Sequence, residues 1–230
     1  NKDQSYFFSL FSKKQLEKAR FPIGEMPKPR VRQIAREFNL PVAEKKDSQG
    51  ICFLGKVKIS EFLSNFLEDK PGEIVTTHGS VVGEHKGLHR YTLGQRRGIG
   101  VPSNTDHENF VVTGKDEGNN QLIVAFESEN ESTLWGKRFE IESLSFLTDS
   151  PPVSPTRLLG KVRYRDPSVS LLFRPLGMSK AEIVFDQPQR AITPGQVLAL
   201  YEEERLIGGG TYCLSELGRA DQSLIHEISA

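Results

Sequence analysis

One short stretch near the start, Lys45-Lys46-Asp47-Ser48-Gln49-Gly50-Ile51-Cys52-Phe53-Leu54-Gly55, carries the most reactive side chain the sequence offers. Cys52 is one of two cysteines among 230 residues. A thiol becomes a nucleophile when nearby positive charge or donated hydrogen bonds stabilise its thiolate. Lys45 and Lys46 can supply that charge, and Gly50 lets the backbone turn sharply beside the sulfur. The competing reading is a small hydrophobe buried in the run Ile51–Leu54, because unpaired cysteines are often buried. Residue types alone leave both open. Cys213, behind Gly208-Gly209-Gly210-Thr211-Tyr212, has no basic or turn-forming surroundings and reads as inert.

Other polar clusters suit contacts rather than bond-making. Lys2, Asp3 and Gln4 precede the aromatic run Tyr6-Phe7-Phe8; lysine can hold a phosphate and glutamine can read a base edge. Between 84 and 101, His85, His89, Arg90, Arg96 and Arg97 alternate with Tyr91 and several glycines, a composition that fits an RNA surface. Gly94, Gly98 and Gly100 lack the strand–turn–helix setting of a dinucleotide fingerprint. His85 and His89 have no companion cysteine or carboxylate cluster, so no metal is expected. In Lys161-Val162-Arg163-Tyr164-Arg165-Asp166, strand alternation would put Arg163 and Arg165 on one face and Tyr164 on the other. Gln196 follows the turn signal Thr193-Pro194-Gly195, and turns often present contact residues.

These residues need elements to position them. Hydrophobic content of 37% and charged content of 26% describe a globular chain, and no apolar run approaches the roughly 18 residues of a membrane span. No signal peptide is visible and two distant cysteines make no secreted disulfide framework, so a reducing cytoplasmic setting is expected. The net charge of zero hides an asymmetry. Residues 1–100 hold 18 Lys/Arg against 11 Asp/Glu; residues 101–230 hold 12 against 19. A basic half fits a polyanion partner, or ordinary surface charge.

The first part reads as helical. Ser12 and Gln15 have capping-box spacing. Val31, Ile34, Ala35 and Phe38 form an amphipathic stripe after Pro29, closed by Asn39 and Pro41. A third helix is expected at 60–68, with Phe62, Leu63, Phe66 and Leu67 on one face, and the Cys52 segment before it reads as strand, turn, strand. After Gly72 the texture is β, with Asn119-Asn120 as a hairpin turn. Strands are expected at 158–165, 169–174, 181–186, 197–201 and 206–212, a spacing that suits a small barrel or sandwich. Residues 215–230 read as a loose tail.

Taken in order, "KDQSYF", "FPIGEMPKPRVRQIA", "KKDSQGICFLG", "LHRYTLGQRRGIGV", "VRYRD", "FDQPQRAITPGQ" and "IGGG" resemble the C-terminal two-thirds of the tRNA 2-thiouridylase family, over roughly residues 2–212. The resemblance implies sulfur transfer to C2 of the wobble uridine after ATP adenylates the C2 oxygen. It implies that Cys52 carries the persulfide, received from a cysteine desulfurase or sulfur-relay protein. A second cysteine, in a preceding domain, would then release the sulfur by forming a transient disulfide. It also implies tRNA contacts from Lys2, Asp3, Gln4, Arg163, Tyr164 and Gln196. Two departures stand out. The glycine-rich ATP loop that precedes "KDQSYF" in the family is not among these 230 residues, and Asn109-Phe110 replaces an aromatic pair. The chain therefore reads as a fragment or truncated product, with no cofactor-binding residues of its own.

The expected class is α+β: a short helical segment, a small mostly-β central domain and a C-terminal antiparallel β-barrel of translation-factor type. The expected boundaries are 1–55 for the end of the catalytic domain, 56–135 for the central domain, 136–214 for the barrel and 215–230 for the tail. Against sulfur transfer stands a non-catalytic tRNA- or RNA-binding module of the same descent. A thiol redox protein fits less well, since no CxxC or nearby resolving cysteine is present.

Overall fold

The computed structural model describes residues 4–45, 62–102, 109–126 and 134–213. The N-terminal segment is a 3-10 turn over Ser5–Phe8 and two helices, α1 (Lys13–Leu16) and α2 (Lys28–Glu37). The capping box forms as the sequence suggests: Gln15 N donates to Ser12 Oγ, and Ser12 N donates to Gln15 Oε1 at 2.8 Å. At the C-terminal end of α2, Asn39 takes a left-handed φ of 53°. Leu40 N then donates to Ala35 O and Asn39 N to Arg36 O, which satisfies two carbonyls the helix would leave free. Val31, Ile34 and Ala35 are half-buried, but Phe38 is 72% exposed, so the expected stripe is only partly covered. From the expected third helix, the described part is a single turn from Phe62, with Phe66 and Leu67 exposed.

Two hairpins build the central sheet. β1 (Gly72–Thr76) pairs antiparallel with β2 (Val81–His85), and β3 (Phe110–Asp116) with β4 (Gln121–Phe126). The second hairpin turns at Asn119-Asn120, where Asn120 has φ 52° and Asp116 Oδ1 accepts from Asn119 N. β1 and β4 pair in parallel, giving the order β2-β1-β4-β3. β2 and β3 therefore lie at opposite edges, and the glycine-rich connection between them must cross the sheet. It does so by burying Tyr91 and Ile99 on Ile74, Val112, Leu122 and Val124.

The C-terminal part is a closed six-stranded barrel: β5 (Trp135–Phe146), β6 (Thr156–Lys161), β7 (Val169–Pro175), β8 (Lys180–Arg190), β9 (Val197–Glu202) and β10 (Arg205–Tyr212), in the order β10-β5-β8-β7-β6-β9. Every pairing is antiparallel. The interior of so small a barrel is filled by side chains alternating along each strand. Leu171 and Phe173 point in from β7, Ile183 and Phe185 from β8, and Leu198 and Leu200 from β9. The strand expected at 158–165 ends at Lys161. Val162 is buried, but the backbone then bends and Asp166 N donates to Arg163 O. Arg163, Tyr164 and Arg165 therefore sit on a turn at the barrel rim, not on alternate faces of a strand. Leu171→Ala removes a fully buried side chain at the barrel centre and should cost about 3 kcal/mol in equilibrium urea denaturation.

Candidate RNA interface at the barrel rim

The 3-10 turn that directly follows Lys2, Asp3 and Gln4 docks on the barrel nearly 200 residues away. Tyr6 Oη donates to Val197 O at 2.7 Å, and Ser5 Oγ lies 3.3 Å from Tyr201 Oη. Ser9 is buried against β10, its hydroxyl donating to Tyr6 O. The fit requires Gly209, since a Cβ there would lie 2.8 Å from Ser9 Cβ and 2.5 Å from Leu198 O. Just beyond, Ser145 Oγ donates to Phe11 O, and Lys13 pairs with Asp149. Burial, then the neighbouring Tyr201, pushes the Tyr6 phenol above its ordinary pKa, which keeps its proton available to Val197.

Two barrel loops complete the rim. In the 162–166 turn, the Tyr164 ring packs 4.5 Å from Phe7 and 6.0 Å from Tyr6. Its hydroxyl is buried without a hydrogen-bond partner among the described residues. In the 190–196 loop, Ala191 takes φ 52° and Thr193-Pro194-Gly195-Gln196 makes a turn with Gly195 at φ 84°. Proline at the second position and a left-handed glycine at the third define a type II turn, closed here by Gln196 N donating to Thr193 O. Gln196 adjoins Val197, the acceptor for Tyr6. Gln4, Tyr164 and Gln196 are thus brought to one rim, and so is Arg163, which Nη2 ties to Arg190 O and Ala191 O. Lys2, Asp3 and Cys52 lie outside the described residues.

The central sheet joins this rim at Gly94. A Cβ there would stand 2.7 Å from Ala191 Cβ, and Val111 packs with Leu134 and Ala191 in a small separate cluster. Gln95 stitches the connecting loop, accepting from Thr92 N and donating to Arg97 O. Only part of the basic cluster expected here faces outward. Arg96 and Arg97 are exposed, but His85 is 1% exposed with Nε2 3.0 Å from Asn120 O, and Tyr91 is core. Arg90 donates from Nε to Asp69 Oδ1 and from Nη2 to Oδ2 and holds that carboxyl below the usual range; His89 Nε2 lies 3.3 Å from Oδ1. His85, His89, Arg90 and Tyr91 serve the fold. No group of His, Cys, Asp or Glu suited to a metal occurs among the described residues.

Cys213 sits 3.5 Å from Glu140 O, and burial followed by the Glu140 charge pushes its thiol up. That opposes thiolate formation and agrees with an inert reading. Reading the sequence for contacts missed Tyr6 and Phe7. Their signal was the aromatic run immediately after Lys2-Asp3-Gln4, which reads equally well as core.

Three family models match the chain in succession: a tRNA methyl transferase HUP domain over 1–56, a tRNA methyl transferase PRC-barrel domain over 60–126 and an aminomethyltransferase β-barrel domain over 136–212. Together they define a tRNA-modifying class of protein and cover most of the chain. With the relatives that follow, they show that the chain belongs to the tRNA-specific 2-thiouridylase family. The tRNA-specific 2-thiouridylase MnmA of Akkermansia muciniphila is 43% identical over 212 residues, 92% of this chain and 58% of the relative. That of Geobacillus thermodenitrificans is 44% identical, over 92% of this chain and 56% of the relative. That of Proteus mirabilis is 42% identical, over 91% and 58%. The chain spans somewhat over half the length of these relatives.

Removing the Tyr6 hydroxyl tests the docked turn. Tyr6→Phe should loosen it by about 1 kcal/mol, read as roughly fivefold faster amide exchange over residues 5–9 with barrel amides unchanged.

Proposed function

We propose that the intact protein is a tRNA-uridine 2-sulfurtransferase and that Cys52 is its sulfur carrier. In this reading a cysteine desulfurase or relay protein loads Cys52 with a persulfide in the cytoplasm, and the terminal sulfur is delivered to C2 of a tRNA wobble uridine. Lys45 and Lys46, close in sequence, favour the sulfur anion. Lys2, Asp3, Gln4, Tyr164 and Gln196, with the turn carrying Arg163, are the proposed tRNA-contacting set.

One observation carries the proposal. Segments about 160 and 190 residues apart, both singled out for RNA contact, meet at one rim through Tyr6, Phe7, Tyr164 and Val197. Family chemistry uses ATP, but among the described residues no glycine-rich loop leads into a helix N-terminus that could cradle its phosphates. We therefore assign no step to ATP in this chain. No helix among the described residues is long and apolar enough to cross a membrane.

Incubation with a cysteine desulfurase, a sulfur-relay protein and cysteine, followed by intact-mass spectrometry, tests the carrier. The expected result is a gain of one sulfur atom that is lost in Cys52→Ser and kept in Cys213→Ser. Sulfur on Cys213 instead would overturn Cys52 as the carrier, and tRNA binding without any loading, even when the ATP domain of a relative is supplied, would favour a non-catalytic tRNA-binding module.

A further inference from the structure

Resting on the reading of Cys52 as sulfur carrier above, we propose that Arg32 is a positioning residue for sulfur transfer. Its guanidinium fixes the backbone from which the carrier cysteine is reached, and so sets where a donor protein must deliver its sulfur. Arg32 belongs to α2 and is partly buried. Nη1 donates to Ala43 O at 2.7 Å and Nη2 to Lys45 O at 2.9 Å. One planar group therefore spans two carbonyls of the segment that returns along the helix, which a compact ammonium cannot do in the same geometry.

The two carbonyls are ones that the segment's own turns leave over. After the left-handed Asn39, Ala43 N donates to Leu40 O and Lys45 N to Val42 O, which uses the 40 and 42 carbonyls. Arg32 takes the 43 and 45 carbonyls, and backbone acceptors packed away from water need such a partner. Ala43 is the one buried residue among the described residues 10–45. The other tie to α2 is weaker. Arg36 Nε donates to Glu44 Oε1 at 2.6 Å, but these side chains are 56% and 74% exposed, and exposed ion pairs contribute little. Nor does the helix end depend on Arg32, because the bonds from Asn39 N and Leu40 N already close it. What Arg32 adds is a fixed point at Lys45, the first of the two lysines proposed to favour the sulfur anion. Seven residues lead from Lys45 to Cys52, a reach of at most about 25 Å. With the hold released, the last fixed residue is Glu37 at the end of α2, fifteen residues away, and the limit doubles to about 50 Å.

Loading forms a bond from Cys52 Sγ to the terminal sulfur of a donor persulfide and breaks the donor's S–S bond; the donor departs as a thiolate, with no net oxidation. A small donor can approach the thiolate from any side, whereas a donor protein has to bring its persulfide to a defined place. The two kinds of donor therefore separate positioning from intrinsic thiol reactivity. The test follows single-turnover loading of the full chain by intact mass, with either glutathione persulfide or a persulfidated relay protein as donor, and thermal melts as a fold control. Arg32→Ala should slow loading from the relay protein roughly tenfold while leaving loading from glutathione persulfide within about twofold. Arg32→Lys keeps the charge and the stem but not the fork, so it should fall between the two, and it reads the same distinction if Arg32→Ala fails to fold. Arg36→Ala should leave both rates near those of the unmutated chain. Equal slowing with both donors, no slowing with either, or full rescue by lysine would overturn the assignment while leaving Cys52 as carrier. So would an unmutated chain loaded by glutathione persulfide alone, since no protein-borne step would remain for Arg32 to position. An unmutated chain that gains no sulfur on Cys52 from either donor would overturn the carrier reading, and this assignment with it.

Discussion

Closure of the barrel between β6 and β9 is the constraint on which the rim depends. The closing pairs are Leu159 with Tyr201, Gly160 with Leu200 and Lys161 with Ala199. Gly160 has to be glycine for the walls to meet, because a Cβ there would lie 2.5 Å from Leu171 Cδ2 and 3.0 Å from Leu198 Cδ1, both core atoms. Once these strands are joined, the 162–166 turn leaving β6 and the 190–196 loop entering β9 emerge beside each other. Arg163 can then bridge them, and the carbonyl of Val197 is set where Tyr6 finds it. An open sheet of the same strands would leave these loops at separate ends.

The rim is an assembly of small permissive residues and a few directional bonds. Gly209 admits Ser9, and Gly94 admits Ala191. Around those close approaches, Tyr6, Ser5 and Ser145 supply hydrogen bonds that orient the N-terminal segment. Apolar burial then adds the aromatic contacts of Phe7 and Tyr164, which are non-directional on their own. Placement of the polar contact residues follows from backbone fit rather than from charge attraction across the rim.

Much of this was legible in the sequence, and the rest was withheld for physical reasons. The capping box, the helix end at Asn39, the hairpin at Asn119-Asn120 and the later barrel strands depend on local chemistry, so composition and spacing revealed them. The 158–165 strand was overextended because Val162 and Tyr164 have strand-like side chains, whereas the break is set by Arg163 bonding carbonyls across the barrel. His85, Arg90 and Tyr91 resembled an RNA surface because basic and aromatic residues look alike whether they serve a core or a ligand. Only the crossing of the sheet by the connection between β2 and β3 decides that they serve the fold. Contacts between Tyr6 and Val197 or Gly94 and Ala191 span distances in sequence that no periodicity reports.

Among the described residues the sheet and the barrel have separate cores, and the buried cluster joining them consists of Val111, Leu134 and Ala191. Cooperativity in unfolding follows shared buried surface, and little of it is shared here. Two bodies that share so little buried surface are expected to unfold as distinct units. A melting curve of such a chain is expected to be a sum of two transitions, and a single midpoint taken from it would describe neither.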